Sequence, residues 1–257
     1  MIGSQDGPPA LEVQNLSCRF GALVAVHDVS LAVPPGGRFG IIGPNGAGKT
    51  TFFNLLSGEL RPSGGRIRLF GEDVTRLSPP RRVAKGIGRT FQITRIFPDL
   101  TVRENLTLAL LGLSRSKLQP LRRWRADRVR QQRAEELAGS FGLAHRLEDP
   151  ARVLSHGELR ELEVLLALAT EPRVLLLDEP AAGLSPAERQ DIRRLLQDLP
   201  TSLTLVMIEH DMEVLREVVD RVAVLHYGEL VVEGPTAEVQ QHPAVREIYL
   251  GSAEVGR

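Results

Sequence analysis

This 257-residue chain has almost no cysteine, no long apolar run and no net charge, and each absence excludes something. A single cysteine, Cys18, rules out an internal disulfide framework and fits a reducing compartment. No stretch approaches the roughly 20 uninterrupted apolar residues that a membrane-spanning helix requires. Met1 to Pro9 is polar and rich in Gly and Pro, without an apolar signal core. The expectation is a cytosolic protein whose membrane contact comes through a partner. Thirty-two basic residues balance 32 acidic ones, so no overall field argues for nucleic acid or an anionic bilayer. What remains is ordinary globular composition, 42% hydrophobic and 25% charged, in a chain long enough to bury a substantial core.

Periodicity and turn chemistry divide the chain. Leu11 to Cys18 and Val26 to Val33 have the pattern of short strands, the second closed by Pro34-Pro35-Gly36-Gly37. Arg38 to Ile42 is a short run ending in an apolar pair, then a glycine-rich turn, then helical spacing over Thr50 to Leu60. Thr101-Val-Arg-Glu104 has capping-box spacing and opens a helix to about Leu113, and a second helical pattern spans Ala126 to Phe141. Ser155 starts another helix, and Pro186 to Leu199 is amphipathic. Val174 to Leu177, Leu203 to Ile208 and Val222 to Leu225 are continuous apolar strands. Such strands alternating with helices imply an α/β fold whose mainly parallel sheet is covered on both faces. The middle, 95–168, has helical patterns only and is expected as an inserted all-helical subdomain. The core is expected in two parts, 11–94 and 169–251, with loose ends at 1–10 and 252–257.

Gly43-Pro44-Asn45-Gly46-Ala47-Gly48-Lys49-Thr50 satisfies G-x-x-x-x-G-K-[ST] after a strand and before a helix. The glycines let successive amides turn toward an anion, and the new helix adds its positive end. Lys49 offers a point charge to the outer phosphates of a nucleotide, and the Thr50 hydroxyl is a ligand for Mg²⁺. The run Val174–Leu177 ends in Asp178-Glu179, where carboxylates at the C-terminal end of a parallel strand meet ligands. Asp178 suits Mg²⁺, and Glu179 suits the polarisation of an attacking water. The strand Leu205–Ile208 ends in Glu209-His210-Asp211; His210 is expected at the terminal phosphate and Asp211 as a helix N-cap.

In this order of motifs the chain resembles the ATP-binding subunits of ABC transporters over about 11–250. The resemblance places the Walker A loop at Gly43–Thr51, including Thr51, the Q-loop glutamine at Gln92, the signature segment at Leu154-Ser155-His156-Gly157-Glu158, the Walker B end at Asp178 and Glu179, and the switch histidine at His210. It implies a P-loop NTPase core with an N-terminal antiparallel β portion and ATP and Mg²⁺ as cofactors. Gln92 would sense the metal and the nucleophilic water, and Phe20 stands where the family stacks adenine; a core phenylalanine is the rival reading of Phe20. Two such subunits, alike or related, would pair head-to-tail, each ATP held between one phosphate loop and the other subunit's Ser155, His156, Gly157 and Glu158. Ser155-x-x-Glu158 also has capping-box spacing, and both roles stand.

A finer resemblance, carried by Gly86-Ile-Gly-Arg-Thr-Phe-Gln92, Glu104-Asn-Leu106, Asp178-Glu-Pro-Ala-Ala-Gly-Leu184, Ile208-Glu-His-Asp-Met212 and Val245-Arg-Glu-Ile-Tyr-Leu-Gly251, is to importers of branched-chain amino acids and related polar solutes. It implies an integral membrane permease, an extracytoplasmic binding protein and a place on the cytoplasmic face of the inner membrane. Urea-type importers and lipopolysaccharide-export ATPases share much of this pattern, and a non-transport ATPase is a further alternative. The sequence departs from the family at His156, where a glycine is usual, and at Ser185, where an aspartate is usual. The basic run of Arg115, Lys117, Arg122, Arg123, Arg125, Arg128, Arg130 and Arg133 suits a solvated helix face or a docking surface.

Overall fold

The computed structural model describes residues 7–90, 96–112 and 127–254. Two sheets form. Strands β1 (Leu11–Phe20), β2 (Leu23–Val33), β4 (Gly64–Leu69) and β5 (Glu72–Asp73) make an antiparallel sheet in the order β2-β1-β4-β5. Strands β3 (Arg38–Ile42), β6 (Ile87–Arg89), β7 (Val174–Asp178), β8 (Thr204–Ile208), β9 (Arg221–His226) and β10 (Glu229–Pro235) make the second sheet in the order β10-β9-β3-β8-β7-β6. All its pairings are parallel except that of β9 with β10.

Alternate side chains of the central strands enter different cores, as a pleat requires. Val174, Leu176, Val206, Ile208, Ala223 and Leu225 pack toward the antiparallel sheet and helix α1 (Lys49–Ser57). Leu175, Leu177, Leu205, Met207, Val222 and Val224 pack on the opposite side with α6 (Pro186–Gln197) and α7 (Met212–Val218). Both faces are therefore buried, which is why these strands are continuously apolar. Between β6 and β7 the described elements are helical: α3 (Val102–Gly112), α4 (Arg128–Ser140), two 3₁₀ turns and α5 (His156–Leu168). They share a third cluster through Val102, Leu106, Ala134, Leu143 and Leu162.

Several boundaries differ from the sequence-based expectation. Helix α1 stops at Ser57 rather than Leu60, because Gly58 adopts φ 84° and returns its amide to the Leu55 carbonyl. Helix α6 stops at Gln197, short of Leu199. Ala10, expected in a loose end, is fully buried, and its carbonyl accepts from the Phe70 amide at 3.1 Å. The closing helix α9 (Pro243–Glu254) runs past Gly251 into the expected tail; α2 (Pro79–Val83) and the four-residue α8 (Thr236–Val239) complete the set. Of the basic run, Arg115 to Arg125 lie outside the described residues. Arg128, Arg130 and Arg133 belong to α4, where Arg130 pairs with Asp127 and Arg133 with Glu136 at 3.1 Å.

The foot of α1 is closed by Arg82, the largest fully buried side chain. Its guanidinium donates to the carbonyls of Leu55 (2.5 Å), Leu56 (2.6 Å), Thr75 (2.8 Å) and Leu77 (3.2 Å). Two of those acceptors are last-turn carbonyls of the helix, whose negative end a cation complements. Burial lowers the Arg82 pKa to about 10, still charged at neutral pH. Arg82→Met would keep much of the volume and remove the guanidinium's donors from these carbonyls, leaving Leu55 the Gly58 amide. The expected loss is about 3 kcal/mol or more, read from urea denaturation; an unchanged midpoint would show that the cap contributes nothing.

Candidate nucleotide-binding site

The site lies at the C-terminal ends of β3, β7 and β8, where the chain leaves the parallel sheet. After Ile42 the loop 43–48 curls tightly over its neighbours. A Cβ on Gly43 would stand 2.1 Å from the Leu225 carbonyl oxygen, and one on Gly48 would stand 2.3 Å from that of Ala25. Only glycine lets the loop sit this close to β9 and β2. The Gly228 amide donates to the Ala47 carbonyl at 3.0 Å, so the β9–β10 turn holds the loop from outside. Gly48 brings no side chain to cap α1, so the first-turn amides have no side-chain acceptor there.

Lys49 is 6% exposed, and its ammonium donates to the carbonyls of Gly43 (2.7 Å) and Pro44 (2.9 Å). Burial lowers its pKa, opposed by the nearby charges of Glu179 and Asp178. Thr50 is exposed and Thr51 half-buried on the same first turn, and Asn45 and Gly46 are exposed at the crest of the loop.

Asp178 ends β7 and is 2% exposed. Its amide donates to the Thr90 hydroxyl at 3.3 Å, and its Oδ2 accepts from Arg89 at 3.3 Å. Desolvation raises its pKa while Arg89 opposes the shift. Its Oδ1 is buried and accepts no hydrogen bond among the described residues. An orphaned carboxylate oxygen near the Lys49 charge, with the Thr50 hydroxyl on the first turn of α1, is a hard-oxygen donor set that fits Mg²⁺. Gln92, the third expected ligand, lies outside the described residues.

Glu179 turns out of the strand at φ 51°, in the left-handed region, while its amide still donates to the Ile208 carbonyl at 2.9 Å. A non-glycine residue held there is a strained position of the sort that clusters at functional sites. The turn separates its carboxylate from that of Asp178, and Glu179 Oε1 stands 3.0 Å from His210 Nε2. Asp211 caps α7 as expected, accepting from the amides of Glu213 (2.9 Å) and Val214 (3.3 Å).

Glu209 escapes a reading of the sequence. Only 2% exposed, it accepts from the Ala181 amide and from the His210 amide, both at 3.1 Å. It thereby fastens the turn after Glu179 to the segment that carries His210. Signal for this role is missing because its partners are backbone atoms set by tertiary structure.

The signature segment stands apart. Ser155 and Glu158 form a complete capping box on α5, and no hydrogen bond joins Ser155–Glu158 to Gly43–Thr51 among the described residues. Instead the Gly157 amide donates to Glu188 Oε1 at 2.9 Å, and Glu188 itself closes the capping box of Ser185 on α6. The two departures are thus accommodated together: Ser185 caps α6, and His156 fits against Gly183, where an added Cβ would lie 3.2 Å from the ring. Phe20 is 48% exposed at the end of β1, which removes the core reading.

The ABC transporter family matches residues 26–182, and a family described as branched-chain amino acid ATP-binding cassette transporter matches residues 229–255. The high-affinity branched-chain amino acid transport ATP-binding protein BraF of Pseudomonas aeruginosa is 39% identical over 257 residues, covering 95% of this chain and 99% of that protein. LivG of Escherichia coli K12, of the same description, is 38% identical with the same coverage. The lipopolysaccharide export system ATP-binding protein LptB of Haemophilus influenzae is 35% identical, covering 94% of this chain and 97% of that protein. A crystal structure of an ATP-binding cassette of an ABC transporter in its ADP conformation matches with TM-score 0.82 and 30% identity, covering 95% of this chain and 99% of its own.

Burial raises the pKa of Glu209 to about 7, against an ordinary 4.5. The folded state therefore holds this proton more tightly than the unfolded chain. Its contribution is complete below pH 4.5 and is lost as pH rises through 7. Urea denaturation between pH 5 and 8 should show stability falling by up to about 3 kcal/mol from this group. The Glu209→Gln variant should lack that part of the slope; an identical slope in both proteins would contradict it.

Proposed function

Since the chain belongs to the ATP-binding subunits of ABC transporters, we propose that it hydrolyses ATP to drive import of branched-chain amino acids, or a related polar solute, through a separate membrane permease. The observation that carries the ATPase reading is the convergence of Lys49, Asp178, Glu179 and His210 at the ends of three parallel strands. The importer branch rests on the likeness to BraF and LivG and on the match at residues 229–255. The likeness to LptB supports a second reading, an exporter ATPase.

The loop amides and Lys49 bind the outer phosphates, Lys49 exchanging the Gly43 and Pro44 carbonyls for phosphate oxygens. Asp178, Thr50 and Gln92 would hold Mg²⁺, which neutralises charge developing on the phosphates when bound. Glu179 accepts a proton from the attacking water, and His210 orients Glu179 and reaches toward the γ-phosphate. Phe20, exposed at the end of β1, is assigned to adenine stacking, typically worth about 1–3 kcal/mol. A second ATPase subunit, identical or related, brings its Ser155–Glu158 segment to the same nucleotide. An extracytoplasmic binding protein would deliver solute to the permease.

Among the described residues no helix is long and apolar enough to cross a membrane; the likeness to transport ATP-binding proteins supports attachment to its cytoplasmic face through the permease. A groove of about 310 Å³ lies between β6 and helices α3 and α5, lined by Val83, Ile87, Phe97, Leu108 and Leu166. Its wall includes Arg89 and Thr90, and it lies where the parallel sheet meets helices α3 and α5. A permease segment seated there would feel those helices move, and we assign the groove to it.

Three variants test this reading. Glu179→Gln should lower ATP turnover by about 10²–10⁴-fold and accumulate an ATP-bound dimer on gel filtration; fast hydrolysis would remove the base assignment. Lys49→Ala should lose tight ATP binding by calorimetry. Leu108→Glu should keep ATP affinity while losing co-purification with the permease, and retention of the permease would move the contact elsewhere.

A further inference from the structure

Arg89 ends β6 three residues before Gln92, and its side chain is only 6% exposed. Its Nη1 donates to Asn54 Oδ1 at 2.8 Å and to Ser57 Oγ at 2.6 Å, both near the C-terminal end of α1. The Phe53 ring centre lies 6.0 Å from the guanidinium carbon. Its Nη2 donates to Asp178 Oδ2 at 3.3 Å. One side chain thus ties the carboxylate at the end of β7 to the helix whose first residue is Lys49.

The shape of this tie is informative. An arginine pairing with a carboxylate for strength alone presents two parallel N–H groups to both oxygens. Here one nitrogen is committed to α1 and only Oδ2 is held, so Oδ1 stays without a hydrogen bond among the described residues. Buried ion pairs also contribute little to stability once their desolvation is counted. Thr90, the residue after β6, accepts from the Asp178 amide through its hydroxyl, so both the backbone and the carboxylate of Asp178 are held from the end of β6. Helix α1 has nine residues, about 13 Å at 1.5 Å per residue, with the phosphate loop at one end and the Arg89 anchor at the other.

We propose that Arg89 is a positioning residue for the divalent cation of the ATP site. Its guanidinium, braced on Asn54 and Ser57, turns the Asp178 carboxylate so that Oδ1 faces the metal position beside the phosphate loop. The nucleotide phosphates themselves are bound by groups that Arg89 does not touch. The proposal deepens the assignment of Asp178 as a Mg²⁺ ligand and rests on it.

The test is calorimetric titration of ATP in EDTA and in Mg²⁺, so that the gain in affinity due to the metal is read apart from turnover. In Arg89→Ala, affinity in EDTA should stay near that of the unmodified protein while the Mg²⁺-dependent gain falls about 10–100-fold, as for outer-shell partners of metal ligands. Arg89→Lys, which keeps the charge but not the fork, should recover only part of the gain. The double variant Asn54→Ala, Ser57→Ala leaves both members of the ion pair in place and should lose several-fold of the gain by loosening the brace, on the same outer-shell argument; it carries the test should Arg89→Ala fail to fold. A full Mg²⁺ gain in the Arg89 or brace variants, or equal losses with and without the metal, would overturn the proposal. Asp178→Ala separates it from the reading beneath: if that variant keeps the gain, the metal-ligand assignment fails first and takes Arg89 with it. If Asp178→Ala loses the gain and Arg89→Ala does not, only the role of Arg89 falls.

Discussion

The site depends on a close approach of backbone to backbone. Residues 43–48 can curl only because Gly43 and Gly48 lie against the carbonyls of Leu225 and Ala25, closer than any side chain allows. That curl turns amides outward at the head of α1 and brings Lys49 into a buried position beside two carboxylates. The parallel sheet then sets the rest. Because β8 pairs in parallel with β3 and β7 in parallel with β8, Asp178, Glu179 and His210 emerge on the same edge as the loop. A shift of one residue in either strand would turn its core side chains to the wrong face.

The helix after the loop is fixed at its foot as firmly as the loop is at its head. Arg82 satisfies the last carbonyls of α1, and Arg89 links its final turn to Asp178. Two buried cations at the negative end of a short helix, with an anion site at its positive end, form one electrostatic unit. On the other side of the site, Glu209 and Glu188 act as internal staples. The first joins the turn after Glu179 to His210; the second joins the start of α5 to the start of α6. Each uses carboxylate oxygens to accept from backbone amides, which leaves the segments rigid without covalent links.

Much of this was legible in the sequence, and the reason differs by element. The phosphate loop declares itself because its glycines, lysine and threonine are contiguous. Asp178, Glu179 and His210 declare themselves because each follows a strand apolar on both faces, and caps at Thr101, Ser155 and Asp211 follow from local spacing. The short strands β4, β5 and β6 did not, since Gly64-Gly65 and Gly86 through Arg89 carry too few apolar residues to show a period. Arg89 and Glu188 were invisible as partners, because their contacts lie 89 and 31 positions away along the chain. The exposure of Phe20 was equally beyond reach, since a lone aromatic near a strand end reads the same inside or out.

The most direct measurement is a crystal structure of the chain grown with ATP and Mg²⁺. The account predicts the β- and γ-phosphates within hydrogen-bond distance of the amides of residues 46–50, Lys49 moved from the Gly43 and Pro44 carbonyls onto phosphate oxygen, and the metal on the Oδ1 side of Asp178. Nucleotide bound elsewhere on the chain, or a Lys49 still holding both carbonyls with the triphosphate turned away from Asp178, would contradict it.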